Sequence, residues 1–339
     1  MESLNVAVAG ATGAVGEVLC ELLEQREFPL GELRLLASSR SAGKRVWFKD
    51  HYVRIEELED FDFANTQIAL FSAGSSVSKV HAPRAAESGA VVIDNTSQFR
   101  YDDGIPLVVP EVNSHRIKNG LDQRIIANPN CSTIQMVVAL KPIYDAVGIE
   151  RINVATYQAV SGAGSKAIRE LALQTANILN AKEFEPEVEP VQIAFNAIPQ
   201  INDFKENGYT LEEMKMVWET QKIFEDPNIK VNPTCVRIPV FYGHSEAVHI
   251  ETCEKISVQE AQRLLREDEN IELIDERTPG GYPTAVVHAA GKDPVYVGRV
   301  REDISHDRGL NLWVVSDNVR KGAALNSIQI AENLVPLIA

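Results

Sequence analysis

The chain has 339 residues, 45% of them hydrophobic, with 33 basic and 48 acidic side chains and a formal net charge of −15. That length and apolar content can bury two cores, while the acidic balance excludes the concentrated Lys and Arg that a nucleic acid or an anionic membrane demands. No apolar run approaches the ~20 residues of a membrane helix, and the chain opens on a strand signal rather than a secretory leader.

The first third alternates short β-branched runs with helical patterns. Strands are expected in "NVAVAG", "LRLLAS", "IALFS", "VVID", "LVVP" and "IIAN", and helices at 14–25 and 76–88. Apolar runs that do not alternate are covered on both faces, which predicts a mainly parallel sheet between helices. After Cys131, "STIQMVVALKPIYDAVG" has Ser132 as an expected N-cap and Gly148 at a C-cap, so a connecting helix follows. From about residue 151 the strands lengthen ("INVATYQAV", "TCVRIPVF", "EAVHIETC", "VYVGRV", "LNLWVVSD"), with helices near 165–180 and 257–267. This predicts an α+β second domain on a mixed or antiparallel sheet. The acidic, proline-bearing "AKEFEPEVEP" is expected to be a solvated loop, and the terminal run from "NVRKGAAL" to the end a helix returning to the first domain.

"VAVAGATGAVGEVL" places Gly10, Gly13 and Gly16 after a strand and at the head of a helix. There glycines permit a tight turn, close approach of a diphosphate to backbone N–H groups and close helix–strand packing. A glycine turn with no ligand is the alternative. At the end of the second strand, where an NAD site usually carries a carboxylate, the chain reads "ASSRSAGK". Ser38, Arg40 and Ser41 suit a 2′-phosphate and favour NADP, unless Arg40 is an ordinary surface arginine.

The four cysteines are dispersed without a C-x-x-C pair, which suggests a reducing, cytoplasmic setting with neither zinc site nor disulfide framework. Cys20, on a helix face, and Cys253, in a strand, read as small buried apolar residues. Cys131 differs: polar "NPN" precedes it and "ST" and a helical run follow, so the helix dipole would favour its thiolate. A nucleophilic thiol calls for a base, and of seven histidines His244 stands out, in a Tyr-Gly-His-Ser turn between two strands.

Taken in order, "GATGAVG", "ASSRSAGK", "DNTSQFR", "VVPEVN", "NPNCST", "QAVSGAG", "FNAIPQI", "EEMK", "TCVRIPVFYGHSE" and "SDNVRKGAALNSIQIAENL" closely resemble the aspartate-semialdehyde dehydrogenase family, from the first strand to the last helix. The resemblance implies an α/β fold: a Rossmann-type NADP-binding domain (1–131 plus 318–339) and an α+β catalytic and dimerisation domain (132–317) like that of glyceraldehyde-3-phosphate dehydrogenase. It also implies a homodimer. The implied reaction is reduction of L-aspartyl 4-phosphate by NADPH to L-aspartate 4-semialdehyde and phosphate, on the route to lysine, methionine, threonine and isoleucine. Carried over by residue, Cys131 matches the acyl-thioester nucleophile, His244 the acid/base and Gln158 the glutamine that orients substrate. Arg237 matches the α-carboxylate arginine and Glu212, chosen over Glu213 for its Glu-x-x-Lys spacing to Lys215, the α-ammonium acid. Arg100 and Lys215 match the phosphate pair, with Asn130 beside them. Gly10, Thr12, Gly13, Ala14, Val15, Ser38, Arg40, Ser41, Ser161, Gly162 and Asn318 match cofactor contacts.

The residue types fit that chemistry. Cations hold a departing phosphate, a guanidinium forks to a carboxylate, a carboxylate takes an ammonium, and a protonated His244 is expected to return a proton as the hemithioacetal collapses. The nearest rival is another acyl-phosphate reductase, such as N-acetyl-glutamyl-phosphate reductase, whose substrate needs no ammonium partner. A regulatory protein that binds NADP without catalysis is the rival from another class.

Overall fold

The computed structural model describes residues 3–338, which divide into two units: one runs to Asn130 and resumes at Ala323, the other spans Cys131 to Gly322. The boundaries expected from the sequence lay one residue later at the first crossing and five earlier at the second. Asn318 stays with the second unit because its side chain is hydrogen-bonded there to Ser161 and to the Gly243 backbone.

The first unit is built on strands β1 (Leu4–Ala9), β2 (Leu30–Ala37), β3 (Arg45–Phe48), β4 (His51–Glu57), β5 (Ile68–Phe71), β6 (Val91–Asp94) and β7 (Ile125–Ala127), in sheet order β3-β4-β2-β1-β5-β6-β7. All neighbours are parallel except the β3/β4 hairpin at the edge. Without the antiparallel edge strand β3 the order, β4-β2-β1-β5-β6-β7, is the doubly wound dinucleotide-binding one, with its switch point between β1 and β5. Fully buried Ile68, Ala69, Leu70 and Val92, Ile93 explain the continuous apolar runs: both faces are covered. Helices α1 (Ala14–Gln25) and α2 (Ser75–Glu87) flank the sheet, the short α3 (Pro110–Asn113) and α4 (Gly120–Gln123) precede β7, and the C-terminal helix Leu325–Ile338 adds Leu325, Ile328, Ala331 and Leu334 to the core shared with α1. Two expectations fail here. "LVVP" is no strand, since Leu107 makes a single bridge to Ala127 and Pro110 starts α3. The β3/β4 hairpin had no place in the sequence pattern.

The second unit opens with α5 (Cys131–Val147), which ends where Gly148 turns to φ +67°. Strands β8 (Ile149–Gln158), β9 (Lys230–Arg237), β10 (His244–Thr252), β11 (Ile271–Leu273), β12 (Val295–Glu302) and β13 (Gly309–Ser316) form a mixed sheet in the order β11-β12-β13-β10-β8-β9. Helices α6 (Ser165–Leu179), α7 (Leu211–Phe224) and α8 (Val258–Glu267) complete it. Alternation along β10 buries His244, Glu246, Val248, Ile250 and Thr252 on the face that α5 covers. Cys253 falls just past β10 and is exposed, not packed in a strand as expected, whereas Cys20 is buried and its thiol is pushed up to about 12 by burial.

Among the described residues no helix is long and apolar enough to cross a membrane. Among them, too, no group of three or more His, Cys, Asp and Glu side chains is placed to hold a metal ion.

Tight packing at the β1–α1 turn is testable. Gly10 has φ +88°, and a methyl on Gly16 would lie 2.2 Å from the Gly10 carbonyl oxygen. Gly16→Ala should therefore destabilise the first unit by about 1–3 kcal/mol, because the clash is with backbone that cannot swing aside. Thermal unfolding checks it; a variant as stable as the parent means the turn is not held as described.

Candidate active site

In the first unit the turn Gly10–Gly13 leaves β1 at the switch point and leads into α1. A Cβ on Gly10 would lie 2.8 Å from the Ser72 carbonyl carbon, so β1 and β5 exits approach as closely as backbone allows. Thr12 is exposed, Gly13, Ala14 and Val15 half-buried, and the α1 N-terminus offers backbone donors to an anion. Gly10 and Ala11 donate to Leu36 O, which ties this turn to the end of β2. There Ser38 closes a turn by accepting from Ser41 and Ala42 N–H, with Ser38 and Arg40 exposed and Ser41 half-buried. A glycine turn at a helix head, with a cation and two hydroxyls in the turn after β2, fits a nicotinamide dinucleotide. At the end of β6, Asp94 is buried and its pKa raised by burial, against hydrogen bonds from Thr96 and Ser78. Arg100 is buried and donates to Asn95 O at 2.9 Å; Asn130 is also buried.

In the second unit, register does the assembling. Gln158 pairs with Arg237 across β8 and β9, Tyr157 pairs with Ser245 on β10, and His244 pairs with Ser316 on β13. Gln158, Arg237 and His244 thus sit at one end of the sheet although the sequence scatters them. Cys131, half-buried, is the first residue of the 17-residue α5, where the helix dipole favours an anion. Ser132 lies inside the helix rather than capping it, and its hydroxyl accepts from Gln158 Nε2 at 2.6 Å. The same amide donates to Glu212 Oε1 at 3.3 Å, while Glu212 Oε2 accepts from Asn202 Nδ2 at 3.1 Å and Lys215 Nζ at 2.9 Å. The adjacent acid is used differently: Glu213 closes a capping box with Thr210 and accepts from the Cys235 N–H.

Arg237 donates through Nη1 to Ala159 O at 2.9 Å and through Nε to Glu189 Oε1 at 3.0 Å. Ala159 N–H donates to His244 Nδ1 at 3.0 Å. A backbone N–H can only donate, so Nδ1 is an acceptor and the neutral ring carries its proton on Nε2. His244 is fully buried, and burial, then the Arg237 charge, push its pKa down to about 3. The expected protonated His244 is therefore corrected: the ring is neutral at working pH. Ser161 and Asn318 are hydrogen-bonded to each other, and a Cβ on Gly162 would lie 3.4 Å from both His244 Nε2 and Arg237 Nη1.

Sequence reasoning missed Ser132, Ala159, Asn202 and Glu189, whose contacts are long-range and leave no local pattern. It also missed Gly322, where a Cβ would come within 2.8 Å of Cys131 Cβ. The segment 181–190 is irregular and mostly exposed, the solvated loop expected, and Glu189 is the exception within it: its side chain is 9% exposed. A half-buried thiol at a helix head and a buried neutral imidazole at the sheet end, in a chain that also carries a dinucleotide-binding unit, are the parts of a nicotinamide-dependent dehydrogenase.

Comparison with known proteins narrows this. Residues 5–120 match the family model "Semialdehyde dehydrogenase, NAD binding domain" and 140–321 "Semialdehyde dehydrogenase, dimerisation domain". The chain is 62% identical over 334 residues, 98% of each, to aspartate-semialdehyde dehydrogenase of Shewanella violacea, and 52% identical over 344 residues, 98% of each, to that of Bacillus subtilis. A crystal structure of aspartate semialdehyde dehydrogenase II of Vibrio cholerae complexed with ASA superposes with TM-score 0.97 at 61% identity, covering 99% of both chains. The enzyme of Candida albicans with NADP matches at TM-score 0.75 and 26% identity over 98% of both. The chain belongs to the aspartate-semialdehyde dehydrogenase family, enzymes of the aspartate pathway of amino-acid biosynthesis.

Behind His244 on the same face of β10, Glu246 is fully buried, and neither carboxyl oxygen has a hydrogen-bond partner among the described residues. Burial raises its pKa well above the usual value of 4.5, with Gln135 opposing weakly. Below about 4.5 the carboxyl is protonated both folded and unfolded; above it only the unfolded chain gains by ionising, so this group costs stability increasingly as pH rises. Glu246→Gln should therefore raise the melting temperature relative to the parent, by more at pH 8 than at pH 5. A gap that narrows with pH would show an ionised carboxylate in the folded protein.

Proposed function

We propose that the chain is an NADP-dependent enzyme that converts L-aspartyl 4-phosphate to L-aspartate 4-semialdehyde and phosphate through a thioester on Cys131. The observation that carries this is the end of β8: Gln158 donates to Ser132, next to Cys131 at the head of α5, and to the buried Glu212, and the carbonyl of Ala159 accepts from the buried Arg237, an acid and a cation for an amino-acid head group. Relatives at 62% identity bear the same activity in their names, and a solved relative holds ASA.

Cys131 as thiolate attacks the acyl carbon, forming the C–S bond and moving the carbonyl π pair onto oxygen. The Nε2–H of His244, with backbone N–H groups at the start of α5, is the donor set for that oxyanion. Collapse breaks the bond to phosphate, for which Arg100, Asn130 and Lys215 are assigned, and leaves the thioester. Arg237 takes the α-carboxylate and Glu212 the α-ammonium, while Gln158, fixed on Ser132, orients the acyl group. NADPH, to which the Gly10–Val15 turn, Ser38, Arg40 and Ser41 of the first unit and Ser161, Gly162 and Asn318 of the second are assigned, would supply hydride when bound. The resulting alkoxide re-forms its C=O and expels thiolate without a proton. The single proton consumed ends on phosphate, so His244 donates a hydrogen bond throughout and keeps its own proton. We further propose a homodimer, supported by the dimerisation-domain match.

Mixing the protein with aspartate semialdehyde, phosphate and NADP should give phosphate-dependent reduction of the nucleotide, lost by at least about a thousandfold in Cys131→Ser. Absence of any reduction, with nucleotide binding shown, sinks the assignment. Arg40→Ala should raise the NADP KM roughly tenfold or more and leave NAD use unchanged. Because His244 stays neutral, His244→Ala should cost about 10²–10³-fold in kcat, equally at pH 6 and pH 8; a loss that follows a pKa near 6.5 would restore the general-acid role. Light scattering should give twice the 37.4 kDa chain mass.

A further inference from the structure

The acidic run Glu183–Pro190 contains proline and no secondary structure, yet it is held at fixed points. On α6, the buried Glu170 Oε2 accepts from Glu187 N–H at 3.1 Å and Val188 N–H at 2.6 Å. Gln174 donates to Glu170 Oε1 at 2.9 Å and accepts, through its Oε1, from Ile193 N–H at 2.9 Å and Ala194 N–H at 3.0 Å. Farther on, Ile198 and Arg237 exchange both backbone hydrogen bonds, at 2.9 and 2.8 Å. The strap between these anchors carries Glu189 to the Arg237 guanidinium, with side chains only 9% and 6% exposed.

Where Glu189 touches is informative. It accepts from Nε, and Ala159 O accepts from Nη1, so two contacts on different edges fix the guanidinium plane. Nη2 has no protein partner among the described residues, and one Nη1 hydrogen remains. A glutamate competing for the substrate's place would instead bridge the two terminal nitrogens, the fork that a carboxylate occupies best.

We infer that Glu189 is a positioning residue, which orients Arg237 before substrate arrives so that the terminal nitrogens meet the α-carboxylate without further ordering. This rests on the proposed assignment of Arg237 to that carboxylate. Preorganisation acts on ground state and transition state alike, so it shows in KM rather than kcat. The strap also supplies the countercharge that a buried arginine requires.

The test is steady-state kinetics of the full-length parent, Glu189→Ala and Glu189→Gln, varying aspartate semialdehyde and phosphate separately, with melting temperatures in parallel. Glu189→Ala should raise the aspartate semialdehyde KM about tenfold to a hundredfold, with kcat within about threefold and the phosphate KM unchanged. Glu189→Gln, whose amide oxygen can still accept from Nε, should recover most of the loss. An inactive parent overturns the substrate assignment and this inference with it. With an active parent, an unchanged semialdehyde KM overturns the inference alone, and a lowered KM makes Glu189 a competitor. Both KM values and kcat worsening together in both variants, alongside a lowered melting temperature, would reduce Glu189 to a structural role and overturn it too.

Discussion

The peptide groups at the end of β8 set the geometry on which the catalytic unit depends. Gln158 and Ala159 are consecutive, and between them they reach four elements: Ser132 on α5, Glu212 on α7, His244 on β10 and Arg237 on β9. Ala159 contributes only backbone, its N–H to His244 and its carbonyl to Arg237. Such contacts are indifferent to the alanine side chain but demand that the strand end in one conformation. Gly162, a few residues on, leaves the space that both side chains then occupy.

That arrangement decides protonation as well as position. A histidine in a polar turn would titrate near its usual pKa, and the sequence offered no reason to expect otherwise. Burial removes the water that an imidazolium needs, the Arg237 charge adds to the cost, and the Ala159 N–H occupies the nitrogen that would have to be protonated. All three causes come from residues remote in sequence. The chemistry tolerates this, because a thioester reduction that starts and ends with thiolate needs an oxyanion donor more than a proton shuttle.

What was legible in the sequence divides along the same line. The glycine turn after β1, the helix behind Cys131 and the Glu212–Lys215 pair depend on neighbours within a few residues, and pattern reaches that far. The sheet register that gathers Gln158, Arg237 and His244 has no local signature, and neither do the contacts made by Ser132, Asn202, Gly322 and Ala159. "AKEFEPEVEP" is the solvated loop its composition announces, but its anchors were not legible. Charge and proline do predict an irregular segment, and it is irregular, but composition cannot show that a buried Glu170 gathers its backbone or that a buried arginine awaits its last acid. "LVVP" failed because apolar β-branched residues also serve as plain core before a proline.

Desolvation unifies these features. The buried arginine and the half-buried lysine of the second unit's polar network are each partnered by an acid, Arg237 by Glu189 and Lys215 by Glu212, as a low-dielectric surrounding requires. His244 and Glu246, buried with no opposite charge bonded to them, are driven to their neutral forms. On the proposed assignment, a substrate carboxylate meets an arginine whose charge is already compensated but whose terminal nitrogens are still open to it. Discrimination then rests on geometry, and geometry is what the β8 terminus and the acidic strap hold fixed.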